Sequence, residues 1–178
     1  HRARHRCDVN TCHDDVSTAG LRQLRRKCAS LIGMAQQVFS VQSGLSVREA
    51  FDRCIDLRRV NEWDRGVTTP RRLTGEGQAV GSTYEVTVTG FDGQPATVVY
   101  ELLEVEAPHR FVMEGINDTF RAFDVLTFTS NDGGCELHYD AQLELFGSPP
   151  PMTDDDLDSL FARVAAVPQQ GLSRFLNP

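Results

Sequence analysis

From Val67 to Phe146 the chain is a series of alternating segments cut by turn residues, and this restricts the fold more than any other feature. In residues 82–91, Tyr84, Val86 and Val88 fall on one side and Glu85, Thr87 and Thr89 on the other. In residues 135–146, Leu137, Tyr139, Ala141, Leu143 and Leu145 oppose Glu136, His138, Asp140, Gln142 and Glu144. A period of two turns one set toward a core and the other toward water. Asp92-Gly93 is a hairpin signal, and Asn131-Asp132-Gly133-Gly134 is a second strong turn. Ala107-Pro108 and Asn117-Asp118 divide the segments between them. The pattern predicts strands over 67–73, 82–91, 96–106, 110–116, 120–129 and 135–146.

Helical signals flank this block. Ser46 with Glu49 forms a capping box ahead of Val47, Ala50, Phe51, Cys54, Ile55 and Leu57. Val60 and Trp63 suggest a second short helical turn, and Val38, Phe39 and Val41 a short strand before both. After Gly147-Ser148-Pro149-Pro150-Pro151, Thr153 can cap a last helix, with Asp154, Asp155 and Asp156 at its positive end. Its apolar stripe runs through Leu157, Leu160, Phe161, Val164 and Ala165, and resumes at Leu172, Phe175 and Leu176. Pro168 falls inside it and is expected to kink or break it, because it lacks an N–H and clashes with the preceding turn. The class is α+β: a twisted antiparallel sheet of six to seven strands, curled around one long C-terminal helix. A sheet curved around a single helix leaves a space between them, and such concave apolar spaces are the usual small-molecule sites.

The 178 residues suit one domain. Nothing approaches the roughly 18 apolar residues of a membrane span, and no signal-peptide order is present, so a cytoplasmic protein without stable membrane insertion is expected. Charge is uneven. Residues 1–33 hold seven Arg/Lys against three Asp, and the remainder holds 11 basic against 22 acidic residues. An acidic body repels phosphate backbones, which argues against nucleic-acid binding. Residues 1–33 read as a basic, disordered or non-native leader, with 34–178 the domain proper and Met34 a natural start. The leader would be a cloning remnant or translated upstream sequence, and peptides from it in the native protein would refute this. Cys54 and Cys135, within the body, read as small buried hydrophobes or free thiols. His5, Cys7, Cys12 and His13 match no zinc module, so no metal and no cofactor is expected.

Local words add a resemblance. They are Val47-Arg48-Glu49-Ala50-Phe51, the run from Leu57 to Asp64, Val80-Gly81-Ser82-Thr83-Tyr84, Glu106-Ala107-Pro108-His109-Arg110, and Asp124-Val125-Leu126-Thr127-Phe128 before Gly133-Gly134. In this order the chain resembles the START-like (SRPBCC) superfamily, in its polyketide cyclase/dehydrase and lipid-transport branch, over residues 36–176. The resemblance implies a helix-grip fold with a deep cavity for lipids, polyketides or aromatic metabolites. It supplies no catalytic motif.

The candidate cavity residues are Trp63, Tyr84, Val86, Val88, Tyr100, Phe111, Met113, Asp124, Leu126, Phe128, Tyr139, Leu160, Phe161 and Val164. Trp63 is a gate or, more simply, a core plug. Tyr100 and Tyr139 offer hydroxyls on apolar bodies. Asp124 is the weak catalytic candidate: facing inward it would be a general acid or base, facing outward an ordinary carboxylate paired with Arg121 or Arg110. Glu114 and His138 are expected outside. No Gly-x-Ser-x-Gly elbow and no nucleophile with a partner is evident. The leading reading is binding of a hydrophobic small molecule by a monomer or homodimer. The alternatives are a cyclase or dehydratase using the same cavity, and a protein-interaction module of the same fold. A polar cluster deep in the cavity would favour the enzyme.

Overall fold

The computed structural model describes residues 31–90, 93–146 and 153–177. The His5, Cys7, Cys12 and His13 group, Asp92 and the proline run lie outside them. The elements are β1 (Leu31–Ser43), α1 (Val47–Cys54), a 3-10 helix (Leu57–Glu62), β2 (Val67–Thr74), β3 (Thr83–Thr89), β4 (Pro95–Glu106), β5 (Arg110–Ile116), β6 (Phe120–Asn131), β7 (Gly134–Phe146) and α2 (Asp154–Phe175).

The seven strands form one antiparallel sheet in the order β1-β7-β6-β5-β4-β3-β2. α1 and the 3-10 helix carry the chain from the β1 edge to the β2 edge, and five hairpins bring it back. This is the helix-grip arrangement. α1 starts on the expected capping box: Ser46 Oγ accepts from the Glu49 N–H, and Glu49 accepts from the Ser46 N–H. Such a cap is worth about 1 kcal/mol.

β1 is far longer than the short strand expected around Val38. It pairs with β7 from Leu31 to Ser43. Its outward face mixes Met34 and Val38 with Gln36, Ser40 and Gln42, and Gln36 and Gln42 donate across to Asp140 and Glu136 at 2.7 and 2.9 Å. Those glutamines hide the strand from a hydrophobic pattern, and pairing supplies what propensity lacks.

α2 runs unbroken through Pro168, which corrects the expected break. A proline inside a helix forfeits about 3 kcal/mol, but contacts on both sides hold this one. A β-carbon at Gly33 of β1 would lie 2.8 Å from Leu157 Cδ2, so the first turn of α2 sits almost on the β1 backbone. A β-carbon at Gly171 would lie 1.7 Å from the Trp63 carbonyl oxygen. Beyond it Leu172 and Leu176 are fully buried, and Ser43 Oγ donates to the Leu176 carbonyl at 2.7 Å.

One end of the grip is packed solid. Phe51 of α1 meets Phe111 and Phe128 edge-on at 5.8 and 5.6 Å. Trp63, Tyr84, Leu102, Leu126 and Leu137 complete that core. Cys54 and Cys135 are both buried and free. Glu114 corrects a second expectation: it is only 4% exposed. Arg121 lies over it, donating to Glu114 at 2.6 Å and to Glu144 at 3.1 Å.

Candidate functional site

Cross-strand registry decides which side chains meet on the concave face. Gln37, Ala141, Asp124, Met113 and Leu102 form one row across five strands. The next row toward α1 contains Phe39, Tyr139, Leu126 and Phe111. The row on the other side contains Ala35, Leu143, Ala122, Gly115 and Tyr100. Small residues therefore crowd around Asp124. Ala122 and Ala141 on the sheet face Ala165 on α2, and no large side chain fills the gap.

The gap is a pocket of about 260 Å³ between the sheet and the middle of α2. Its walls include Phe39, Val67, Val88, Phe120 and Leu143 from the sheet, and Leu160, Phe161 and Pro168 from α2. Val164 and Val167 stand at its solvent side; Val164 is 53% exposed. Its polar side chains are Asp64, Thr89, Tyr100, Asp124 and Tyr139.

Asp124 is only 5% exposed and points inward. Tyr139 Oη donates to its Oδ1 at 3.1 Å. Tyr139 is held in turn by Phe39, whose ring stacks on it at 4.9 Å and 8°. The basic residues considered as partners for Asp124 are occupied elsewhere: Arg121 with Glu114 and Glu144, Arg110 with Glu104. Burial with no cation to offset it pushes the Asp124 carboxyl up to about 7, against the lowering effect of the Tyr139 hydroxyl; the Asp64 charge raises it further. Asp64, at the entry to β2, accepts from the Gly66 N–H at 2.9 Å, and burial pushes its carboxyl up to about 6. Burial first, and the Asp124 charge second, hold both tyrosine hydroxyls well above their usual range. The Tyr100 ring lies on Gly115, where a β-carbon would sit 2.5 Å from Cζ.

Of the residues expected from sequence, Val88, Tyr100, Asp124, Tyr139, Leu160, Phe161 and Val164 line this pocket. Trp63, Tyr84, Val86, Phe111, Met113, Leu126 and Phe128 are buried in the core outside it. Tyr84 directs its hydroxyl to the Gly77 carbonyl at 3.1 Å, away from the pocket. Asp64 and Phe39 were missed. Phe39 is placed by its registry with Tyr139, which the sequence does not display, and Asp64 carries no local signal, because the turn after the 3-10 helix aims it. Among the described residues no group of three His, Cys, Asp or Glu converges as a metal site.

With this geometry in view, the family described as "Polyketide cyclase / dehydrase and lipid transport" matches residues 34–175. The chain belongs to that family. No functionally curated protein matches it. Among solved structures, this family member is similar to a START superfamily protein from Mycobacterium smegmatis, with TM-score 0.63, 11% identity, and 80% of this chain and 96% of that one covered. It is also similar to Ara h 8.0201, with TM-score 0.58, 11% identity, and 81% and 99% covered. A third likeness is to the di-domain ARO/CYC StfQ from the steffimycin biosynthetic pathway, with TM-score 0.61, 15% identity, and 89% and 53% covered. At these identities the likeness is one of fold. Among the described residues no helix is long and apolar enough to cross a membrane.

Proposed function

We propose that this protein binds one hydrophobic small molecule in the pocket between the sheet and α2. The observation that carries the reading is an apolar-walled space with four titratable side chains, Asp64, Tyr100, Asp124 and Tyr139, converging on it. At about 260 Å³ it lies just below the usual ~300–1,000 Å³ of ligand sites, which favours a compact ring system over a two-chain lipid. The binding unit begins at Leu31 rather than Met34, because Leu31–Gly33, expected in the leader, pair in β1 and support α2, and it acts as a cytoplasmic monomer or homodimer without nucleic acid. Native mass spectrometry of protein purified from its own host tests the reading. A co-purifying small molecule supports it. Protein that is empty there, and that stays empty against a panel of aromatic metabolites, refutes it.

A second reading, a cyclase or dehydratase, is favoured by the Asp124–Tyr139 pair. A carboxyl with its pKa near 7 can both give and take a proton at neutral pH. Tyr139 orients that carboxyl, and the apolar walls would hold a flexible substrate folded. The test is turnover of a poly-β-ketone analogue. Loss of turnover in Asp124→Asn with binding retained supports catalysis, and equal turnover in the variant refutes it. The interaction-module reading receives less support: of the exposed large apolar residues, Val164 and Val167 belong to the pocket's own rim, and outside it stand only Met34 and Val38 on β1 and Val80 before β3 among the described residues.

A further inference from the structure

Resting on the ligand-pocket reading above, we propose that the ligand is an amphipathic amine: an apolar, ring-bearing body with one basic nitrogen, held as the ammonium by Asp64 and Asp124.

The argument is one of unmatched charge. The titratable groups facing the pocket are Asp64 before β2, Tyr100 on β4, Asp124 on β6 and Tyr139 on β7. β1 contributes Phe39, and α2 contributes only apolar side chains. Among the described residues no Arg, Lys or His lines the space. Two carboxyls thus share a largely apolar pocket with no cation among the described residues. Leaving a buried carboxylate uncompensated is costly, and a ligand cation removes the cost. A ligand carboxylate or phosphate would add a third negative charge and meet no basic partner.

Donor counting agrees. Tyr139 already spends its hydroxyl hydrogen on Asp124 Oδ1. The Asp64 and Asp124 oxygens outnumber the remaining donors, so the pocket asks for a donor. The stacked Phe39 and Tyr139 rings and the Tyr100 ring add aromatic faces of the kind that attract an ammonium. A divalent metal is a poorer fit, because no third ligating side chain converges among the described residues. At long range the chain beyond residue 33, with 22 acidic against 11 basic residues, also favours a cation.

The raised carboxyl values give the reading a pH signature. Between about pH 5 and 8 Asp64 and Asp124 lose their protons, while an aliphatic amine keeps its own. Affinity for the amine therefore rises with pH over this window. A ligand presenting only acceptors would need the protonated acids and would weaken.

The experiment compares three naphthalene probes of one shape by calorimetry: the ethylamine, the ethyl alcohol and the acetate. Near neutral pH the amine should bind about tenfold or more tighter than the alcohol, and the acetate weakest. The preference should grow from pH 5.5 to 8 and vanish in the Asp64→Asn/Asp124→Asn double variant, with folding checked by circular dichroism. An amine no tighter than the alcohol overturns the inference but leaves the pocket reading intact. If none of the three binds, the pocket reading falls and this inference with it. Should the double variant not fold, the pH series on the unaltered protein decides alone.

Discussion

Gly171 of α2 lies directly on the main chain of Trp63, so that a β-carbon at 171 would reach 1.7 Å from the Trp63 carbonyl oxygen. Together with Leu157 on Gly33, this contact pins both ends of the helix and leaves its middle to bridge the pocket. The helix is thus a beam resting on two supports, and the space beneath it is set by the supports.

Gly171→Ala tests the support. An exposed helical Gly→Ala change gains up to about 1 kcal/mol. Here the methyl meets backbone that cannot turn aside, and a loss of about 3 kcal/mol is expected. Urea unfolding midpoints measure it; an unchanged or higher midpoint would show that α2 is not held there.

The two ends of the grip should answer differently to size changes. Leu126→Ala opens a hole in the solid end, where Leu126 is fully buried, and should cost roughly 2–5 kcal/mol. Ala165→Phe places a ring into the pocket and should cost little, while abolishing capture of a small aromatic molecule. Thermal melts and a fluorescent-probe titration on both variants separate stability from binding. A large stability loss in Ala165→Phe would mean that the space is not available.

Asp124 and Asp64 give the protein a distinctive pH profile. Both carboxyls are protonated in the native chain and ionised in the unfolded chain between about pH 4 and their raised values. The native state then holds more protons, so their contribution falls as pH rises from about 4 to about 7 and is flat above. Asp124→Asn should remove most of this decline, leaving the variant more stable than the parent at pH 8 and close to it at pH 4. Denaturation series at several pH values check it; parallel curves would place Asp124 in water.

Tyr139→Phe deletes the hydrogen bond that favours ionised Asp124. The Asp124 carboxyl should then titrate above about 7, and carbon-detected NMR of labelled aspartate reads the shift directly. A downward shift would mean that the hydroxyl serves the protonated form instead.

The alternation in residues 82–91 and 135–146 and the Ser46–Glu49 box are local signals, and they sufficed for strand count, order and the α1 boundary. Tyr100 and Tyr139 were legible as inward-facing because period-two alternation assigns a face. The direction of Asp124 stayed open in the sequence, because a carboxylate near a strand end can also turn out toward Arg121 or Arg110, and only the packing of Tyr139 and α2 decides it. Phe39 was not legible as a pocket residue, since its role depends on which residue of β7 stands beside it. Glu114 does lie on the outer face, but its burial was not legible because alternation is blind to Arg121 folding over it.

The sequence by itself determined the helix-grip class, most of the apolar inward set and the helix that closes it, because turns, caps and hydrophobic periodicity act over a few neighbouring residues. Only the tertiary structure decided that Ala122, Ala141 and Ala165 meet and leave a void, that Phe111, Leu126 and Phe128 fill the opposite end, and that Asp64 joins Asp124. Volume and charge balance at a point are sums over distant segments, and no local stretch of chain contains them.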